Sequence, residues 1–122
     1  MAVKTIPDCL GPYSHVVESN GLAFFSGQLG IDPNTNNLRP TCKEQLDQIL
    51  INMDALLTSI NLKRSHIIKS TIFLADLNDF ALVNEAYKMF FQTPYPARST
   101  IQVAALPKGA KIEIEFIGKK NP

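Results

Sequence analysis

Leu46, Ile49, Leu50, Met53, Leu56, Leu57 and Ile60 follow one another at spacings of three and four. That spacing draws one continuous apolar stripe along an α-helix, and a stripe so long has to be covered by another part of the fold. Just before it, Thr41-Cys42-Lys43-Glu44 has the form of a capping box. Thr41 satisfies a free backbone donor and Glu44 reaches back to the cap, so the helix is expected to begin there and run to about Ile60.

The segments around this helix read mainly as strands. Asn20-Gly21 lies between Val16-Val17-Glu18-Ser19 and Leu22-Ala23-Phe24-Phe25, and this dipeptide supplies the positive φ angles of a two-residue hairpin. The polar stretch Asp32-Pro33-Asn34-Thr35-Asn36-Asn37 reads as an exposed loop. Ile67, Ile68, Ile72, Phe73 and Leu74 predict a strand, with the apolar character of one buried on both faces. Asn78 or Asp79 is suited to cap a second helix whose Phe80, Val83, Tyr87, Phe90 and Phe91 share a face before Pro94 ends it. The remaining segments, Arg98 to Ala105 and Lys111 to Ile117, read as paired strands joined by a turn at Leu106-Pro107-Lys108-Gly109-Ala110. The order ββαβαββ predicts an α+β, two-layer domain: a mixed sheet with two helices on one face. With 122 residues, 45% of them hydrophobic, the chain matches one domain spanning 1–122.

In the last strand Lys111, Glu113 and Glu115 alternate with Ile112, Ile114 and Phe116, so the sheet has a polar side. Arg98, Thr100 and Gln102 share one parity on the strand before it, and the polar residues of both strands are expected to meet on that side. A sheet with helices on one face leaves the other to solvent or a partner subunit, which makes an oligomer with sites between subunits plausible.

Arg98 follows Pro94-Tyr95-Pro96-Ala97 at the start of a strand. Its planar fork suits bidentate binding of a carboxylate, while a salt bridge to Glu113 or Glu115 is the plainer reading. Glu113 has the chemistry to position or deprotonate a water, and alternating Lys and Glu also describes a solvated strand face. Tyr13 sits in the turn Gly11-Pro12-Tyr13-Ser14, where it either closes over a ligand or caps the core. In Ser26-Gly27-Gln28 the glycine permits close approach of a ligand to the backbone, or a bulge.

Several function classes are disfavoured. Twelve Lys and Arg against 11 Asp and Glu leave a net charge of +1, without the basic surplus of a nucleic-acid binder. No apolar run approaches the roughly 20 residues needed to span a bilayer, and Met1 to Pro7 lacks the apolar stretch of a signal peptide, so the chain is expected to be cytoplasmic. Cys9 and Cys42 are far apart, and His15 and His66 are isolated, so neither a disulfide framework nor a metal site is expected. There is no G-x-S-x-G pattern and no glycine-rich phosphate loop.

Gly11-Pro12-Tyr13-Ser14, Ser26-Gly27-Gln28, Asp76-Leu77-Asn78-Asp79-Phe80, Pro96-Ala97-Arg98-Ser99-Thr100 and Leu106 to Glu115, in this order and over nearly the whole chain, resemble the RidA family, also called the YjgF family. The resemblance implies a chorismate-mutase-like fold and a homotrimer whose sheets form a central barrel with sites in the clefts between subunits. It also implies hydrolysis of enamine and imine carboxylates, such as 2-aminoacrylate and 2-iminopropanoate, to 2-keto acids and ammonia, without metal or organic cofactor. By the same resemblance Arg98 holds the substrate carboxylate, Glu113 activates the attacking water, Tyr13 lines or closes the pocket, and Gly27, Ser26 and Thr100 contact the substrate. Many members carry Cys at the position of Thr100, so a thiol function does not transfer there. Some members are described as endoribonucleases or translation inhibitors, an alternative disfavoured by the near-neutral charge and by two histidines with no sequence pattern for acid/base cleavage of phosphodiesters. A noncatalytic ligand-binding trimer is the third possibility.

Overall fold

A computed structural model describes residues 4–120; the outermost residues of the expected domain 1–122 lie outside the described residues. Among the described residues β1 (Val16–Ser19), β2 (Leu22–Leu29), β3 (Ile67–Leu74), β4 (Ala97–Gln102) and β5 (Ile112–Lys119) form one mixed sheet in the spatial order β1-β2-β5-β3-β4. Helices α1 (Cys42–Ser59) and α2 (Phe80–Phe90) complete the ββαβαββ order expected from the sequence. Among the described residues no helix is long and apolar enough to cross a membrane.

Local signals act where the sequence has them. Asn20 and Gly21 adopt φ of 51° and 78° and close the β1–β2 hairpin. Thr41 accepts a hydrogen bond from the Glu44 backbone N–H, and its hydroxyl donates to the Glu44 carboxylate at 2.9 Å. Glu44 therefore reaches back to the cap's hydroxyl rather than to its backbone. The expected stripe on α1 is buried, with Leu46, Ile49, Met53, Leu56 and Leu57 packed in one core with Ile72, Leu74, Ile112, Ile114 and Phe116 from the sheet. Each such side chain contributes roughly 1.5–3 kcal/mol.

The second helix starts differently from the expectation. Asp79 occupies its N-cap without a capping hydrogen bond from its side chain; Asp76 instead accepts from the Asn78 N–H and caps the single turn Leu77–Asp79 that precedes the helix. Val83, Tyr87, Phe90 and Phe91 are buried as expected, but Phe80 is largely exposed.

Two expectations about the sheet are corrected. β4 and β5 are not a pair: β4 runs parallel to β3 at the sheet edge, and β5 inserts antiparallel between β2 and β3. α2 carries the chain from β3 to a parallel β4, and the segment 103–111 then returns it to the centre of the sheet. Nor is β3 covered on both faces. Ser70, Ile72 and Leu74 are buried beneath the helices, whereas Ile68 on the other side is 44% exposed, and a bulge between Ile67 and Lys69 resets the alternation. The open face mixes exposed Val17, Phe24 and Ile101 with half-buried Phe73, Glu113 and Ile117.

A buried polar seam on α1 was not foreseen. Gln45, Gln48 and Asn52 are all at most 5% exposed and lie beside the apolar stripe at the same helical spacing. The Asn52 amide donates to the Ile31 carbonyl, Gln48 donates to Asn52, and Arg39 Nε donates to Gln48.

Candidate active site

The sequence-predicted site residues fall into two groups on opposite faces of the sheet. In the β3–β4 register Ser70 lies beside Arg98 and Ile72 beside Thr100, which puts Arg98 and Thr100 on the helix-covered face. In the β3–β5 register Phe73 lies beside Glu113, on the open face. The expectation that the polar residues of the last two strands meet is therefore overturned within one chain, because the parity of each strand was legible but its pairing was not. Arg98 forms no ion pair with Glu113 or Glu115.

Arg98 is half-buried at the start of the edge strand. Its Nη2 donates to Asn84 Oδ1 on α2 at 2.7 Å, and its guanidinium carbon lies 5.2 Å and 5.3 Å from the ring centres of Phe80 and Tyr87. Tyr87 is fixed in turn by donating to Ser70 Oγ at 3.1 Å. Burial pushes the Tyr87 phenol up to about 12, so it stays neutral beneath the cation. Among the described residues the guanidinium has no carboxylate partner. It borders a cleft of about 550 Å³ lined by Ala81, Asn84, Tyr87, Tyr95 and Pro96 and by Glu85 and Lys88, which pair with each other. Two residues further on, the Thr100 Oγ1 is buried without a hydrogen-bond partner, an acceptor and donor left open on the same face.

The second group gathers around Glu113. The register of β2 against β5 slips between Phe25 and Gln28, and Gly27 sits in that irregularity. A β-carbon at Gly27 would fall on the Glu113 Oε2, so only glycine leaves room for the carboxylate there. Burial, with Glu115 nearby as a second cause, raises the Glu113 carboxyl above its ordinary value. Ser26 Oγ donates to the Ser14 carbonyl at 2.6 Å, which leaves its hydroxyl oxygen as an acceptor. Tyr13 is 45% exposed; its hydroxyl accepts from the Leu10 N–H at 3.2 Å, and its ring lines a crevice of about 20 Å³ together with His15, Gly27, Gln28 and Leu29. That is room for a single water.

Asn84, Phe80 and Tyr87 were missed as site residues. The aromatic stripe of α2 read only as core, and an asparagine within a helix gives no hint of which strand lies across from it. Cys42 is buried and its thiol is pushed up to about 12 by burial and by Asp79, which marks it as unreactive.

Three comparisons bear on this arrangement. Residues 3–119 match the family model described as Endoribonuclease L-PSP. The chain is 47% identical over 96% of its length to "Reactive Intermediate Deaminase A, chloroplastic" of Arabidopsis thaliana, 63% of whose length it spans. It is 43% identical over 95% of its length to the "2-iminobutanoate/2-iminopropanoate deaminase" of Bos taurus, covering 85% of that protein. Among solved structures, E. coli TdcF with bound serine superposes with a TM-score of 0.90 at 40% identity, the match covering 98% of this chain and 97% of the TdcF chain.

Proposed function

The chain belongs to the RidA family, the family of the matching endoribonuclease L-PSP model, and from that premise we propose that it hydrolyses 2-imino carboxylates, with their enamine tautomers, to 2-keto acids and ammonia. The observation that carries this reading is Arg98: a half-buried cation held by a neutral amide and two aromatic rings, beside a cleft, with no anion of its own among the described residues. Such a group selects a ligand carboxylate. The serine bound to the TdcF relative is a small amino carboxylate, in keeping with that choice.

Arg98 and Glu113 lie on opposite faces of one sheet, so the site is assembled between subunits of a homotrimer, Arg98 from one subunit facing Glu113 from its neighbour. The partly uncovered apolar residues of the open face, Val17, Phe24 and Ile101, support such an interface. Arg98 holds the carboxylate through its free N–H groups, and Thr100, Ser26 and the Gly27 backbone provide further substrate contacts. Glu113 takes a proton from water as the water oxygen bonds to the imine carbon, and passes that proton to the imine nitrogen, which regenerates the carboxylate. The C–N bond of the resulting carbinolamine then breaks as the hydroxyl proton passes through the same carboxylate to nitrogen. Ammonia leaves and the C=O bond remains. A carboxyl whose proton affinity is raised suits both steps. Tyr13 closes the pocket against bulk water.

The test follows keto-acid release from 2-iminopropanoate generated in situ, with semicarbazide competing for the imine. Acceleration by the wild-type chain that disappears in Arg98→Ala is the expected result. No acceleration by a folded trimer overturns the reading for this substrate.

A further inference from the structure

Gln45 lies at a junction of three backbone segments. Its Nε2 donates to the Arg39 carbonyl at 2.9 Å, and its Oε1 accepts from the Lys111 N–H at 2.8 Å. Its Cα is pressed so closely against Gly30 that no β-carbon fits there. Gly30 directly follows β2, and Lys111 directly precedes β5. The Lys111 carbonyl is held from its other side by the Ala75 N–H at 3.0 Å, so this residue's backbone is pinned at both ends. Glu113 is two residues further along β5 on the same face as Lys111, paired across to Leu29 and packed against Gly27.

We propose that Gln45 is a positioning residue for Glu113: by clamping the end of β2 and the start of β5 it fixes the carboxylate against Gly27. The inference rests on the catalytic reading of Glu113 given above. A buried amide bonded through both its nitrogen and its oxygen suits this task because it accepts only one arrangement of the two strands, where an apolar side chain would tolerate sliding. Gln48 and Asn52 extend the clamp along α1 by holding Arg39 and the Ile31 carbonyl. Gln45 itself touches neither the Arg98 cleft nor the crevice beside Tyr13.

The experiment compares wild type, Gln45→Met and Gln45→Glu, with Leu57→Ala as a core variant near the far end of α1. Gln45→Met keeps the length and loses both hydrogen bonds; kcat is expected to fall about tenfold or more while KM stays within about twofold. Leu57→Ala is expected to lower Tm and leave kcat per folded molecule unchanged. Wild-type kcat and KM in a Gln45→Met protein of reduced Tm overturn the proposal. Gln45→Glu is the conservative rescue, since its protonated carboxyl accepts from Lys111 and donates to Arg39. If Gln45→Met does not fold, this variant decides the matter. Its kcat relative to wild type is expected to fall with rising pH, as the donor to Arg39 is lost; a wild-type profile overturns the proposal.

Should the wild-type chain hydrolyse no imine, the catalytic reading fails by itself, and positioning is then read from the carboxyl 13C titration of Glu113. The charged groups sharing its face are Lys111 just before β5, Glu115 and Lys119 on β5 and Lys69 on β3, all left in place by the substitution. The midpoint is expected to move down toward the ordinary carboxylate value in Gln45→Met as packing against Gly27 loosens. An unchanged midpoint overturns the proposal.

Discussion

The two halves of the site are opposites in charge and alike in what each lacks. At the sheet edge Arg98 is a cation seated among neutral groups, an amide and two rings. On the open face Glu113 is an anion whose charge is disfavoured by burial and by Glu115. A salt bridge within the chain would have satisfied both, and the strand order β5-β3-β4 with its alternating faces prevents it. Keeping the charges apart within the chain leaves each open to a ligand or, in the proposed trimer, to a neighbouring subunit.

The largest expected effect comes from removing the cation. Arg98→Ala is expected to lower kcat/KM by about thirtyfold to several thousandfold, from the roughly 2–5 kcal/mol carried by a confined charge-assisted contact, and Arg98→Lys to recover only part because the fork is lost. Steady-state kinetics measure both. The same variant can break the comparison outright. Arg98→Ala chains refolded with Glu113→Gln chains are expected to regain about a quarter of the wild-type sites in a randomly mixed cyclic trimer, if each site takes one residue from each of two subunits. A mixture as inactive as its components would return both residues to one chain.

Gly27→Ala comes next. It displaces the Glu113 carboxylate without altering its chemistry, and a fall in kcat of about a hundredfold is expected for a shift of roughly an ångström, with KM little changed. Asn84→Ala leaves Arg98 charged but loosens its aim, and about a tenfold rise in KM is expected. The smallest effect is on stability. The Glu113 carboxyl binds its proton more tightly folded than unfolded, so its contribution to stability falls as pH rises from the ordinary carboxylate value through the raised one. Glu113→Gln is accordingly expected to raise Tm at neutral pH, with the gain fading as pH drops below the ordinary carboxylate range. Thermal unfolding across pH checks this.

Much of the fold was legible because its signals are local. The Thr41 cap, the Asn20-Gly21 hairpin, the stripes of both helices and the alternation of β5 each depend on residues a few positions apart. The pairing of β4 was not, since a proline- and glycine-bearing connection looks the same whether it closes a hairpin or returns the chain to the middle of a sheet. That single error placed Arg98 and Glu113 on one face. Asn84 and Gln45 escaped notice for a related reason: polar residues on helices whose partners, Arg98 and the Lys111 backbone, are distant in sequence. A polar stripe at Gln45, Gln48 and Asn52 keeping helical step beside the apolar one was the available clue.

The seat of Arg98 has a consequence for turnover. In the proposed reaction the carboxylate that Arg98 holds is untouched when C=N becomes C=O, so the clamp is expected to hold the keto acid as firmly as the imine. Uniform binding of this kind lowers KM and adds nothing to kcat. Product release is then expected to work against the same contact that captures the substrate, and accumulated 2-keto acid to compete for the cleft. A residue that excels at catching scarce, short-lived molecules sets a ceiling on how fast the catalyst can let go of what it makes.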